Sequence, residues 1–147
     1  MKYCPALIVL VLVSFLSSVA GTAPDTQTNK QVAFTAALKE KSVQAGSTAT
    51  LLIRLRPQKG IHINLKPAIS IIVDSTDGIL RAGTPNIPQA DSFLNTSKPI
   101  VQQVTLPAGL KKGKAFISGT VTYFFCSDAE GWCSRFAQPF KVPLTVR

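Results

Sequence analysis

Two cysteines near the C-terminus, Cys126 and Cys133, are the residues of this chain whose type and spacing best suit chemistry. Six residues separate them, and the turn-forming residues Ser127, Asp128 and Gly131 lie in that segment. The spacing predicts the loop of a β-hairpin, in which opposed residues are close enough for a disulfide. A disulfide exchanges electrons with a thiol when a thiolate attacks one of its sulfurs.

A disulfide at this place has two interpretations. The closed loop would have about eight residues, for which the chain-entropy model gives a modest stabilisation of about 2.5 kcal/mol. A bond between distant strands would hold two sheets together more effectively, whereas a bond at the end of a hairpin is easily reached by a partner thiol. The spacing is not the Cys-x-x-Cys of thioredoxins. The residues therefore leave open a structural clip and a redox-active pair.

The N-terminal residues predict export. Lys2 precedes an apolar stretch, Ala6–Leu16, that is too short to span a membrane, and the small residues Ser18-Val19-Ala20 follow it. We expect residues 1–20 to be a signal peptide. Cys4 would be removed with it, and the two remaining cysteines then form the even number that favours a disulfide in an exported chain.

The remaining chain has the length and composition of one folded domain. We expect a flexible lead-in at 21–31 and a single domain at 32–147. Charged residues are 16% of the 147 residues and the mean hydropathy is +0.24, which excludes a disordered chain. One histidine and three cysteines exclude a multi-histidine or four-cysteine metal centre, and we expect no metal and no cofactor.

The net charge of +9, which falls to +8 without Lys2, suits a weak association with an anionic membrane surface or an acidic partner. The lysines at 111, 112 and 114 are most simply a solvated turn, because no aromatic residues are interleaved with them. We therefore expect no nucleic acid partner.

Short runs of alternating apolar residues, separated by turn signals, predict an all-β fold. We expect an immunoglobulin-like β-sandwich of about seven to eight strands. Only Ala36–Gln44 has a pattern that suits a helix, and the segment 74–78 is typical of a turn. Pro143 has no N–H group to donate, so the last strand should lie at an edge or carry a bulge. The clearest predicted strands are Thr48–Arg56, Ile69–Val73, Ile100–Leu106, Lys114–Phe125 and Phe140–Val146.

Three strings of residues follow the pattern of one known family. Gly60-Ile61-His62-Ile63-Asn64 is similar to a glycine–aromatic–His–Ile–Asn stretch, and Asp91-Ser92-Phe93-Leu94 is similar to an Asp-Glu-Phe-Tyr loop. Val121-Thr122-Tyr123, followed by Cys126, is similar to a Val-Thr-Tyr-x-x-Cys string. Over Val32–Arg147 the chain thus resembles the periplasmic N-terminal domain of the DsbD thiol:disulfide reductases, also called a disulfide-bond corrector domain. The family usually has five residues between its cysteines, and this chain has six.

The resemblance implies a periplasmic component of protein-disulfide reductase type, here as a stand-alone module. A thioredoxin-like or membrane reductase donor would reduce the cysteine pair, which would then reduce a disulfide in a periplasmic acceptor protein. Cys133 matches the cysteine that forms the mixed disulfide, and Cys126 matches its resolving partner.

The resemblance also implies roles for three residues around the pair. Phe93 matches an aromatic residue on a cap loop that shields the cysteines, Asp91 matches an acidic residue beside them, and Tyr123 matches a tyrosine three residues before the first cysteine. From its position alone, Arg135 would share a strand face with Cys133 and could support a thiolate there.

Two other functions fit the same residues. The first is a non-enzymatic, immunoglobulin-like binding domain whose hairpin disulfide is purely structural. The second is a metallochaperone that uses the thiols together with His62, although a lone histidine is more often structural. The reduction potential, covalent capture of a partner and metal retention distinguish the three functions.

Overall fold

The structure, a computed structural model, describes residues 28–74 and 81–147. The predicted signal peptide, most of the predicted lead-in and most of the turn predicted at 74–78 lie outside these residues. The described residues form ten β-strands and no helix. The strands are β1 (Val32–Leu38), β2 (Thr48–Pro57), β3 (Ile61–Asn64), β4 (Ser70–Asp74), β5 (Arg81–Ala82), β6 (Gln89–Ala90), β7 (Phe93–Leu94), β8 (Ile100–Thr105), β9 (Gly113–Ser127) and β10 (Trp132–Val146).

The strands form two antiparallel sheets with one apolar core between them. The first sheet has the order β1-β2-β8-β5, and the second has the order β10-β9-β3-β7-β6, with β4 also paired to β9. Alternate residues of the central strands, such as Leu51 and Ile53 on β2 and Val121 and Tyr123 on β9, are buried in the same core. This period of two is the pattern that the sequence shows, and the predicted all-β sandwich is confirmed.

The long hairpin of β9 and β10 organises the second sheet. The two strands have 15 residues each and pair along their whole length. On its other side, β9 pairs first with β4, at residues 118–122, and then with β3, at residues 124–127. β10 is the end strand of the sheet order, as Pro143 predicted. The hairpin therefore carries its turn, and the cysteines beside it, to the place where β3 joins the sheet.

The helix suggested at Ala36–Gln44 does not form. Ala36 and Ala37 belong to β1, where they pair with Ile53 and Leu52 of β2. The helical preference of alanine is weak, and pairing with an amphipathic strand over seven residues outweighs it. The strand count is close to the prediction, because seven of the ten strands have four or more residues and β5, β6 and β7 have two each.

Tyr123 lies at the centre of the core, on the inner face of β9. Its side chain is fully buried, and its ring centroid is 6.0 Å from those of Phe125 and Phe136. Its hydroxyl accepts a hydrogen bond from Nδ2 of Asn29 over 3.1 Å. Burial raises the pKa of Tyr123 above its usual value near 10, and the Asn29 donor only partly opposes this effect.

We expect the free energy of unfolding to fall with increasing pH above about pH 10 because of Tyr123. The unfolded chain loses this proton at a lower pH than the folded protein does, so the stabilisation is complete below pH 10 and is lost above it. Urea unfolding at a series of pH values between 8 and 11 gives the free energy of unfolding as a function of pH. This free energy should fall more steeply with pH in the wild type than in Tyr123→Phe, by up to about 1.4 kcal/mol per pH unit. Lysines titrate equally in both proteins, and parallel curves would contradict the expectation.

Candidate functional site

Cys126 and Cys133 form a disulfide next to the turn of the β9–β10 hairpin, as predicted. They are directly opposed in the ladder, and their Cα atoms are 4.1 Å apart. The four-residue loop Asp128–Gly131 connects the strands, and Gly131 has the positive φ of 69° that its turn requires. The N–H of Gly131 donates to the carbonyl oxygen of Ser127 over 2.9 Å. The disulfide thus spans two neighbouring strands rather than the two sheets.

The disulfide lies on the outer face of its sheet. Tyr123 and Phe125 point into the core, so Phe124 and Cys126 point away from it. Trp132, which precedes Cys133, turns inward and packs edge-on against Phe125, with ring centroids 5.8 Å apart. The sulfur–sulfur bond is therefore outside the hydrophobic core and on a surface that a second protein can approach.

The two cysteines differ sharply in exposure. Cys133, on the end strand β10, is exposed, whereas Cys126, one strand further in, is only 4% exposed. The next strand after β9 is β3, and its His62 lies directly opposite Cys126. One end of the disulfide is therefore open at the sheet edge, and the other end is enclosed by β3.

His62 connects the hairpin loop to the short strands beside it. Its Nδ1 is 3.2 Å from Oδ2 of Asp128, a side chain of the loop between the cysteines. The ring of Phe93, on β7, stacks at a tilt on the His62 ring, with centroids 4.1 Å apart. Phe93 is 38% exposed, so it covers His62 on one side and faces solvent on the other. The sequence suggested His62 only as a partner of the thiols in a metallochaperone, and the structure shows it opposite Cys126 and in contact with the hairpin loop.

Asn64 is a residue of this site that the sequence did not place beside the cysteines. It follows His62 on the outer face of β3, opposite Phe124 on one side and Phe93 on the other. Its side-chain amide donates a hydrogen bond to Sγ of Cys126, with an Nδ2–Sγ distance of 3.0 Å. Asn64 is thus in direct contact with one of the two sulfurs.

The other predicted site residues lie on different parts of the sheet relative to the cysteine pair. Asp91 is an exposed residue of the two-residue turn between β6 and β7, where it has a φ of +54° that aspartate tolerates better than most residues. With Asn64 and Phe93 it lines a cleft of about 460 Å³, and Asn64 is the lining residue that contacts Cys126. Arg135 is exposed on β10, two residues after Cys133 and on the same face. Tyr123 faces the core, on the opposite side of the sheet.

The described residues contain neither a metal-binding cluster nor a membrane-spanning helix. Residues 28–74 and 81–147 contain no group of three or more His, Cys, Asp or Glu side chains placed to hold a metal ion. In the same part of the chain, no helix is long and apolar enough to cross a membrane. Comparison of the sequence with protein-family models and with curated proteins gives no match.

Proposed function

We propose that this protein is a thiol:disulfide interchange module that carries two electrons on Cys126 and Cys133. Its donor would be a thioredoxin-like or membrane reductase protein, and its acceptor a periplasmic protein with a disulfide. The main support is the position of the disulfide, which lies outside the core with one sulfur exposed and the other enclosed. The resemblance to the N-terminal domain of the DsbD reductases supports the same function and an export to the periplasm.

The difference in exposure indicates which sulfur a partner attacks. A thiolate attacks a disulfide sulfur from the side opposite to the leaving sulfur. For Cys133 that side lies beyond β10, where the described chain has no further strand, and for Cys126 it lies over β3 and His62. Attack on Cys133 is therefore unobstructed, and Cys126 is the leaving sulfur.

Reduction of the pair then proceeds in two steps. A donor thiolate bonds to Sγ of Cys133, the Cys126–Cys133 bond breaks, and its electron pair leaves on Sγ of Cys126. The same donor's second thiolate then attacks the donor sulfur of this mixed disulfide and releases the thiolate of Cys133. The donor dithiol is oxidised to a disulfide, and the two cysteines gain two electrons and two protons.

Transfer to the acceptor is the reverse sequence. The Cys133 thiolate attacks the acceptor disulfide, forms a mixed disulfide and releases one acceptor thiolate. The Cys126 thiolate then attacks Cys133, restores the internal bond and releases the second acceptor thiolate. Arg135, on the same strand face as Cys133, favours the thiolate form of this nucleophile. Asp91 lines the same cleft as Asn64, the residue that contacts Cys126, and Phe93 shields the enclosed side.

Exchange with a protein dithiol tests this function. Oxidised protein is mixed with an excess of reduced thioredoxin as the probe, quenched with acid, and alkylated with a maleimide that adds mass to each free thiol. We expect complete reduction within minutes while the domain stays folded, because the exposed sulfur needs no unfolding to react. A bond that thioredoxin reduces only in the presence of denaturant would instead identify a structural clip.

A further inference from the structure

We propose that Asn64 is a catalytic residue that stabilises the thiolate of Cys126 when the disulfide opens. This inference rests on the proposed function, because it assigns a role within the same exchange reaction. It concerns the enclosed sulfur, whereas the exposure of Cys133 explains only where a partner begins its attack.

The contact that carries this inference joins the Asn64 amide to the leaving sulfur. The Nδ2 atom of Asn64 is 3.0 Å from Sγ of Cys126. Asn64 is held between two ladders, opposite Phe124 on β9 and Phe93 on β7, so its backbone position is fixed from both sides. A donor held in place before the reaction stabilises developing charge without the cost of reorganisation.

The hydrogen bond should strengthen during the reaction. A disulfide sulfur is a weak acceptor, whereas a thiolate carries a full negative charge, and hydrogen bonds to charged acceptors are about twice as strong as neutral ones. An interaction that is stronger in the transition state than in the ground state lowers the barrier. The amide of Asn64 therefore contributes to the rate at which the bond opens.

The enclosure of Cys126 makes such a donor necessary. Burial disfavours a thiolate, and Cys126 is only 4% exposed. The charged groups nearby have opposite signs: Asp128, in contact with His62, is negative, and Arg135, opposite Phe124 on the same sheet face, is positive. Asn64 is a neutral group that donates directly to this sulfur, so it offsets part of the desolvation without adding a charge.

Stabilising the Cys126 thiolate also has a consequence for the direction of electron flow. A more stable thiolate leaves faster, but it is a weaker nucleophile when it must close the bond again. The hydrogen bond from Asn64 also stabilises the reduced form of the pair, and a pair whose reduced form is more stable is a better oxidant. Asn64 should thus favour reduction of this protein by its donor over the release of its electrons.

Substitution of Asn64 tests the role in two measurements. Asn64→Leu removes the donor at similar size, Asn64→Asp replaces it with a negative acceptor, and Asn64→Ser is a milder variant that is too short to reach the sulfur. Asn86→Ala, on the other sheet, is the matched control. The first measurement is the rate constant for reduction of the oxidised protein by dithiothreitol. The second is the thiolate absorbance at 240 nm as a function of pH, in a background where Cys4 and Cys133 are replaced by Ser.

We expect Asn64→Leu to slow reduction by roughly three- to tenfold and to shift the thiolate titration of Cys126 upward by about one pH unit. The Asn64→Asp shift should be larger, and Asn86→Ala should match the wild type. A purely structural Asn64 would change the free energy of unfolding but neither the titration nor the rate. Wild-type titration and rates in all three folded Asn64 variants would overturn the proposal.

The same data separate this proposal from the proposed function. Reduction by thioredoxin in the wild type tests the function, and the ratio of variant to wild-type rates with dithiothreitol tests Asn64. A low thioredoxin reactivity together with an altered ratio would leave the chemistry of Asn64 standing without its physiological use. A folded wild-type protein whose disulfide resists dithiothreitol would overturn both.

Discussion

Replacing Cys126 with Ser is expected to trap a partner protein on Cys133 as a stable mixed disulfide. Cys133 is the exposed sulfur at the edge strand, so its thiol can still attack an acceptor disulfide. Without the thiol of Cys126, the described part of the chain has no second thiol that can displace the bound partner. In a bacterial periplasm, non-reducing electrophoresis should show adducts at least about tenfold more abundant than with the wild type, and dithiothreitol should remove them.

The matched variant for this experiment is Cys133→Ser. When both variants also carry Cys4→Ser, it likewise leaves a single thiol, but that thiol belongs to Cys126, which is 4% exposed and enclosed by β3. We expect few adducts from it, although it is exported and folded like its counterpart. Equal trapping by the two variants would show that the enclosure of Cys126 does not control access, and no adducts from Cys126→Ser would remove the support for a protein partner.

Replacing Phe93 with Ala is expected to expose Cys126 selectively. The Phe93 ring rests on His62, which lies opposite Cys126 on the side away from Cys133. Loss of an aromatic pair costs about 0.5–1.5 kcal/mol beyond the area it buries, which favours opening of this side by up to roughly tenfold. Iodoacetamide should therefore alkylate Cys126 about two- to tenfold faster in Phe93→Ala, when both proteins also carry Cys133→Ser and Cys4→Ser.

The control for Phe93→Ala is the alkylation rate of the other cysteine, Cys133. When Cys133 is the single thiol, its alkylation rate should change by less than about twofold, because the open side of Cys133 faces away from β7. Acceleration of both thiols to the same degree would indicate general loosening of the hairpin. An unchanged rate for Cys126 would mean that strand β3 alone encloses it.

Local patterns in the sequence were sufficient to predict most of the strands. Leu51, Ile53 and Leu55 alternate with polar neighbours, and the predicted strand Thr48–Arg56 is observed as Thr48–Pro57. The first half of β10 was less visible, because Cys133 to Ala137 show no clear alternation. Its strand character comes from pairing with β9, which is a property of the hairpin and not of the segment itself.

The disulfide was predictable because its two residues belong to one hairpin. Asn64 was not placed beside it, since Asn64 and Cys126 are 62 positions apart and only the pairing of β3 with β9 brings them together. Tyr123 shows the opposite case. The resemblance grouped it with the residues that shield the pair, but residues three apart on a strand point to opposite faces, and Tyr123 is buried in the core on the side away from Cys126.

The reduction potential of the Cys126–Cys133 pair tests the central proposal most directly. The folded protein is equilibrated in glutathione buffers of increasing reducing strength, and the fraction with free thiols is determined by alkylation. A working electron carrier should have a potential above about −300 mV, where thioredoxin-like donors can reduce it. A potential below about −300 mV would contradict the proposal, because such a bond stays closed against these donors and serves only the fold.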